Sequence, residues 1–222
     1  MAAEAVFLEV DQVDDGEIKK ITEIFGQNFV SLTEFGLKNS FGKRKVLLVL
    51  DEIGVNELGI AKKTSLLKHQ HYMMTAEEFE KSQDVFSLFF LELSTEPRVL
   101  AGQDLAKKVS VKKEDVRHEL ERSIRASLIG FRNAFLSTGF FDKKALLSAA
   151  AAEIQPVIMG LLFLKNKSAS STKEGLEIVE KSYKIQNSLY RAIYGPKMSD
   201  GKKLEAVHGF LQELTEKIDK FG

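Results

Sequence analysis

The apolar positions follow two rhythms along this chain, and the change between them falls near residue 110. In the first part, short helical and extended patterns alternate. Ile18, Ile21, Ile24 and Phe25 recur at helical spacing, which predicts an amphipathic helix from Gly16 to Gln27. Asp14 or Asp15 would cap its start, and Gly26 lies near its end. Val30 to Gly36 and Val46 to Ile53 then read as strand, glycine turn and strand, joined by a short polar linker to Lys45. Val46 to Leu50 is an unbroken apolar run, the pattern of a strand covered on both faces. Gly36 stands where a bulky residue would obstruct close approach of backbone or ligand.

Asn56 to Gln70 predicts a second helix, with Leu58, Ala61, Leu66 and Leu67 as its apolar positions, although Gly59 and Thr64 weaken it. Tyr72 to Met74 reads as a short extended piece. Thr75-Ala-Glu-Glu78 matches a capping box and predicts a short helix to Ser82. Val85 to Leu93 is rich in aromatic and branched residues and predicts a strand. Pro97 limits its continuation, Arg98 to Leu100 is a last extended piece, and Ala101-Gly102 turns out of it.

Beyond Ser110 the spacing is helical throughout. Val116, Leu120, Ile124, Leu128, Phe131 and Phe135 define one long helix from Lys112 to Ser137. Phe140 to Lys165 predicts a second, bent or restarted at Pro156. Lys173 to Ile185 and Gln186 to Tyr194 predict two shorter helices. The last carries a bundle-type seam of Leu204, Val207, Leu211, Leu214, Ile218 and Phe221. The expected fold class is therefore α+β: a mixed sheet with helices over residues 1–108, followed by an all-helical bundle over 109–222.

Composition narrows the function classes. Thirty-two basic residues balance thirty-two acidic ones, so net charge gives no strong nucleic-acid signal and no reason to expect an anionic membrane. The absence of cysteine excludes disulfides, thiolate metal sites and cysteine nucleophiles, and fits a reducing, cytoplasmic setting. The stretch from Met1 to Phe7 lacks the pattern of a signal peptide. Ala145 to Leu164 imitates a membrane span, but Glu153, Gln155 and Pro156 interrupt it and favour a buried bundle helix. No Walker pattern, dinucleotide fingerprint or Gly-x-Ser-x-Gly elbow occurs.

The order of parts resembles the polymerase-β-like nucleotidyltransferase superfamily. The marks are a helix, a strand ending in Gly36, a second strand followed by Asp51-Glu52, and a later strand before a helical half. Met74-Thr-Ala-Glu-Glu-Phe79, Asp84-Val-Phe86, Phe90-Leu-Glu-Leu93, Arg98-Val-Leu100, Gly102 and His118-Glu-Leu-Glu-Arg122 look like a bacterial branch of it with a degenerate active-site motif. What the resemblance implies is a Gly-Ser after the first strand, two acidic residues one apart at the start of the second, and a third on a later strand. The carboxylates would hold the magnesium that carries a nucleoside triphosphate.

Carried onto this chain, Gly36 matches the glycine, but Leu37 takes the serine position and Lys43 and Lys45 take the acidic pair. Glu92 takes the third position. Two carboxylates exchanged for two ammonium groups invert the local charge where a divalent cation should sit. At a near-surface dielectric each unit-charge contact at about 4 Å is worth roughly 4 kcal/mol before screening, which one glutamate does not offset. The first reading is thus a non-catalytic nucleotidyltransferase-like binding or interaction module, with a nucleotide or another protein as partner and no cofactor expected.

The alternative is a magnesium-dependent transferase with a displaced metal site drawn from Glu92, Asp51 and Glu34. The third reading is a structural partner whose helical half forms a homodimer through the Leu204 seam. Lys38, Lys43, Arg44 and Lys45 would either clamp nucleotide phosphates without metal or form a solvated hairpin loop. Asp51 and Glu52 would either ligate metal with Glu92 or mark a solvated strand end. His69-Gln-His71 spaces two imidazoles for a metal only on an extended segment and lacks a third ligand. His118 directly follows Arg117, without the Arg-to-His spacing of the helical ribonucleases that accompany minimal nucleotidyltransferases. Phe86, Phe89 and Phe90 read as core packing in preference to base stacking.

Overall fold

The structure is a computed structural model and describes residues 13–36, 45–64, 70–137 and 143–218. The chain is α+β. It divides into two compact units. One draws its described residues from 13–35, 45–64, 70–80 and 97–105, and the other from 36, 81–96, 106–137 and 143–218. The units alternate along the chain, where the sequence reading expects the consecutive blocks 1–108 and 109–222.

The first unit is built on a four-stranded sheet. Its strands are β1 (Phe29–Phe35), β2 (Lys45–Leu50), β3 (Gln70–Thr75) and β4 (Arg98–Gly102), in the order β3-β2-β1-β4. β1 runs antiparallel to β2 and to β4, and β3 runs parallel to β2. Val46 to Leu50 are all buried, as an uninterrupted apolar run in a central strand requires. α1 (Asp15–Phe25) opens on Asp14, whose Oδ1 accepts the Glu17 N–H at 2.8 Å, and closes at Gly26. Ile21 and Phe25 pack on Leu32, Val46, Leu48 and Leu50. Ile24 is 39% exposed, against expectation, because it lies roughly 100° round the helix from Phe25 and off the stripe. Gly102 leaves the sheet at a φ of +79°, where a Cβ would lie 2.2 Å from the Val30 carbonyl oxygen.

α2 (Val55–Ala61) is shorter than the predicted Asn56–Gln70 helix. Its end has a local cause: the Thr64 hydroxyl donates to the Ala61 carbonyl at 2.7 Å, a side-chain bond that competes with continued helix. Leu66 and Leu67 lie outside the described residues. α3 (Ala76–Lys81) starts as predicted, with the Glu78 N–H on Thr75 Oγ1 at 3.1 Å and the Thr75 N–H on Glu78 Oε2 at 2.8 Å.

The second unit is helical. Its first helix, α4 (Ser87–Leu93), corrects the predicted strand over Val85–Leu93. The segment is apolar on nearly every side because it is buried nearly all round, and such a run carries no strand period to read. Its start is stabilised from elsewhere in the sequence. Glu119 on α5 (Lys113–Leu136) accepts from Ser87 Oγ at 2.9 Å and from the Leu88 N–H at 2.6 Å. α5 buries Val116, Leu120, Ile124, Leu128 and Phe131, as its spacing predicts, whereas Phe135 in the last turn is exposed.

α6 (Lys143–Leu164) continues through Pro156 as one helix and packs against α4, α5, α7 (Thr172–Tyr183) and α9 (Asp200–Ile218). At Gly160 it approaches its neighbours closely: a Cβ there would lie 2.5 Å from Leu88 Cδ2 and 2.9 Å from Leu120 Cγ. α8 (Leu189–Tyr194) packs on α7 and α9. Leu204, Val207, Leu211, Leu214 and Ile218 of α9 are buried in the chain's own core, and Phe221 lies outside the described residues. The described seam that motivates a homodimer is therefore enclosed within the bundle. Among the described residues no helix is long and apolar enough to cross a membrane.

If Glu119 is what starts α4, Glu119→Ala leaves a buried hydroxyl and an amide without their acceptor. A loss of about 1–3 kcal/mol is expected, read as a lower midpoint in urea with an unchanged slope. An unchanged midpoint would contradict this role.

Candidate functional site

The site expected from the sequence centres on the end of β1. Gly36 adopts a φ of +105°, a region that strongly favours glycine. A Cβ at this position would stand 3.5 Å from Glu92 Oε1, an ordinary contact. Backbone conformation thus demands the glycine more than lack of space does. Phe35, the last residue of β1, pairs with Lys45, and Lys45 pairs on its other side with Gln70. The strand end beside β1 therefore presents an ammonium group. The parallel neighbour, Gln-His-Tyr-Met-Met-Thr, contains no acidic residue. Leu37, Lys38, Lys43 and Arg44 lie outside the described residues.

Glu34 is the one carboxylate on β1. It is 2% exposed, and its Oε2 lies 3.7 Å from Arg98 Nη1 on β4, directly across the antiparallel pair. Arg98 is half-exposed, so the pair joins a buried carboxyl group to a solvated guanidinium. Phe35 and Tyr72, from β1 and β3, bring their rings to 6.0 Å on the other face.

Glu92 needs a correction of its setting. It lies on helix α4, not on a later strand of the sheet, and is 1% exposed. Gln155 of α6 donates from Nε2 to Glu92 Oε1 at 3.2 Å, within the helical unit. Asp51 follows the last residue of β2. Its N–H donates to the Asn28 carbonyl at 3.0 Å, while the Asn28 carboxamide bonds both the N–H and the carbonyl of Glu52 at 2.8 and 2.9 Å. Asn28 immediately precedes β1, so the Asp51-Glu52 pair lies at the opposite end of the hairpin from Lys45 and Phe35. At about 3.3 Å per residue, that separation along β2 is roughly 20 Å. Asp51 and Glu52 are exposed, the setting of a solvated strand end.

The remaining candidates disperse. His71 is exposed on β3, His69 lies outside the described residues, and His118 is exposed on α5. His208 of α9 accepts from Arg132 Nε of α5 at 3.1 Å. Among the described residues no group of three histidine, aspartate or glutamate side chains is placed to hold a metal ion. The aromatic trio divides: Phe90 is fully buried with Phe89 edge-on at 5.3 Å, but Phe86 is 45% exposed and is not core.

Three polar partnerships escaped the sequence reading. Glu119 and Gln155 were readable only as polar residues on apolar helices. The third joins Glu213 and Lys217 of α9 to the link between α7 and α8. Glu213 accepts the N–H groups of Gln186 and Asn187 at 2.9–3.0 Å. Lys217 Nζ lies 2.7 Å from Glu213 and donates to the Tyr183 and Lys184 carbonyls at 3.0 and 2.6 Å. The i,i+4 spacing was visible, but not its use. Burial works against the Glu213 charge, yet Lys217 and the two backbone N–H groups outweigh it and hold the carboxyl below its usual value. Tyr183, whose hydroxyl donates to the Leu161 carbonyl at 2.8 Å, is pushed up to about 12 by burial.

In comparisons with known proteins, no family model matches this chain and no curated protein matches it.

Because the Glu213 carboxyl titrates lower folded than unfolded, its stabilisation is complete above the unfolded value, near 4.5, and disappears as pH falls through the lower folded value. Glu213→Gln should therefore melt below the parent at neutral pH, with the gap closing in acid. A gap independent of pH would contradict an ionic role.

Proposed function

We propose that this chain is a nucleotidyltransferase-fold protein without transferase activity, acting as a binding or interaction module for a nucleotide or another protein. The observation that carries this reading is the charge at the end of β1. There β2 opens on Lys45, β3 supplies no acidic residue, and Glu34 faces Arg98. A magnesium-triphosphate complex needs converging carboxylates to hold the metal. Ammonium and guanidinium groups suit a phosphate directly.

The resemblance that suggests the fold draws support from the first strand ending in Gly36, paired antiparallel with the second. A displaced metal site drawn from Glu92, Asp51 and Glu34 has less support, because Asp51 follows β2 at the opposite end from Lys45 and Gly36.

The test is thermal unfolding with each nucleoside triphosphate, with and without magnesium, beside an assay for transfer of labelled nucleotide. Ligand at about 100 times its dissociation constant adds roughly 2.7 kcal/mol, a visible shift. The expected result is no transfer and no magnesium-dependent shift; a shift that needs no magnesium identifies a nucleotide held by cationic groups. Magnesium-dependent stabilisation or transfer would overturn the proposal.

A further inference from the structure

An open cleft of about 500 Å³ lies within the helical unit, between α9 and the link from α7 to α8. That volume is within the range of small-ligand sites. Gln186 and Asn187 form the wall on the link. Gly209, Gln212, Glu213, Glu216 and Lys217 form the wall on α9, where steps of three and four place them along one side of the helix. Gly209 lets the link come close, because a Cβ there would lie 2.8 Å from Asn187 Cγ. Asn187 is also tied to Glu213 Oε2, by its N–H at 3.0 Å and its carboxamide at 3.2 Å. This part of the wall is held before any ligand arrives, which lowers the ordering cost of binding.

The bonds already made in these walls select the chemistry of a ligand. An ammonium group has three N–H donors and no acceptor. Those of Lys217 go to Glu213 and to the Tyr183 and Lys184 carbonyls, so none remains for an anion. Both Glu213 oxygens are occupied in turn, by Lys217 and by the Gln186 and Asn187 N–H groups. Glu213 and Lys217 therefore cancel, and Glu216 is the charge left over. Among the described residues Glu216 has no cation within ion-pair distance, and it accepts one long bond, from Gln212 Nε2 at 3.4 Å. The carboxamide oxygens of Gln186 and Gln212 add further acceptors to the same cleft.

We propose that this cleft binds a small hydrophilic organic cation with N–H donors, an alkylammonium or guanidinium compound. Glu216 is its counter-ion, and the Gln186 and Gln212 carboxamides accept its remaining hydrogens. A carboxylate and a guanidinium match in two parallel bonds, and charge-assisted bonds of this kind are the stronger ones. An apolar ligand would gain little here, because the walls offer polar groups in place of apolar surface. The inference is independent of the proposed function, since it uses none of the residues around Gly36.

The test is amide NMR of the full chain titrated with agmatine, a probe that carries both an ammonium and a guanidinium group. An open, solvated site implies a dissociation constant on the order of 1 mM. The Gln186, Asn187 and Gln212 amides should shift and saturate together. Glu216→Gln should weaken binding about five-fold, the worth of one exposed ion pair. Glu114→Gln removes the same charge at the exposed start of α5 and should leave the titration unchanged. Tetramethylammonium, a cation without N–H donors, should shift these amides less at equal concentration. Glu216 is exposed, so the rest of the spectrum should hold and report that the variant folds. No saturable shift at the cleft, equal weakening by both variants, or an equal response to tetramethylammonium would overturn the proposal.

Discussion

Pairing of β2 on both of its edges governs the first unit. Each backbone group of a central strand must find a partner, and Val46 to Leu50 find theirs on β1 and β3 while burying their side chains on both faces. That arrangement fixes the register. Leu32 lies opposite Leu48 and Met73 lies beside it, so one face is apolar and receives α1. It also fixes which residues share an end of the sheet. Lys45, Gln70 and Phe35 are brought level, and Asp51 is carried to the other end.

The consequence for function is electrostatic. In the proposed reading, Lys45 at the sheet end and Arg98 opposite the β1 carboxylate suit an anion in preference to a divalent metal. The helical unit treats its own buried carboxylate similarly: Glu92 is met by the carboxamide of Gln155 inside the bundle. Partners of this kind offset part of the desolvation that burial in a low dielectric imposes on a carboxyl group.

Much of the fold was legible because its elements carry strong local signals. The α1 cap at Asp14, the Thr75 capping box, the central apolar strand and the long α5 stripe each state their structure within a few residues. The strand predicted at Val85–Leu93 failed for a physical reason. A helix buried on nearly all sides has no polar face, so its sequence lacks period 3.6, and the carboxylate that starts it sits on another helix, at Glu119. Thr64 ended α2 through a bond that propensity underweights. At the candidate site, Gly36 and the cation at Lys45 were readable. The separation of Asp51 from them was not, because it depends on strand register. The exposed setting of Phe86 was hidden by the same misread segment.

The proposed function depends on a cation, Lys45, standing beside the end of β1 where a metal-holding carboxylate would be needed for transfer. Its most direct measurement is electron paramagnetic resonance of Mn2+, standing in for magnesium, titrated into the full chain with and without a nucleoside triphosphate. The expected result is no protein-held Mn2+ beyond what the triphosphate binds by itself. One tightly held ion per chain, strengthened by the triphosphate, would contradict it.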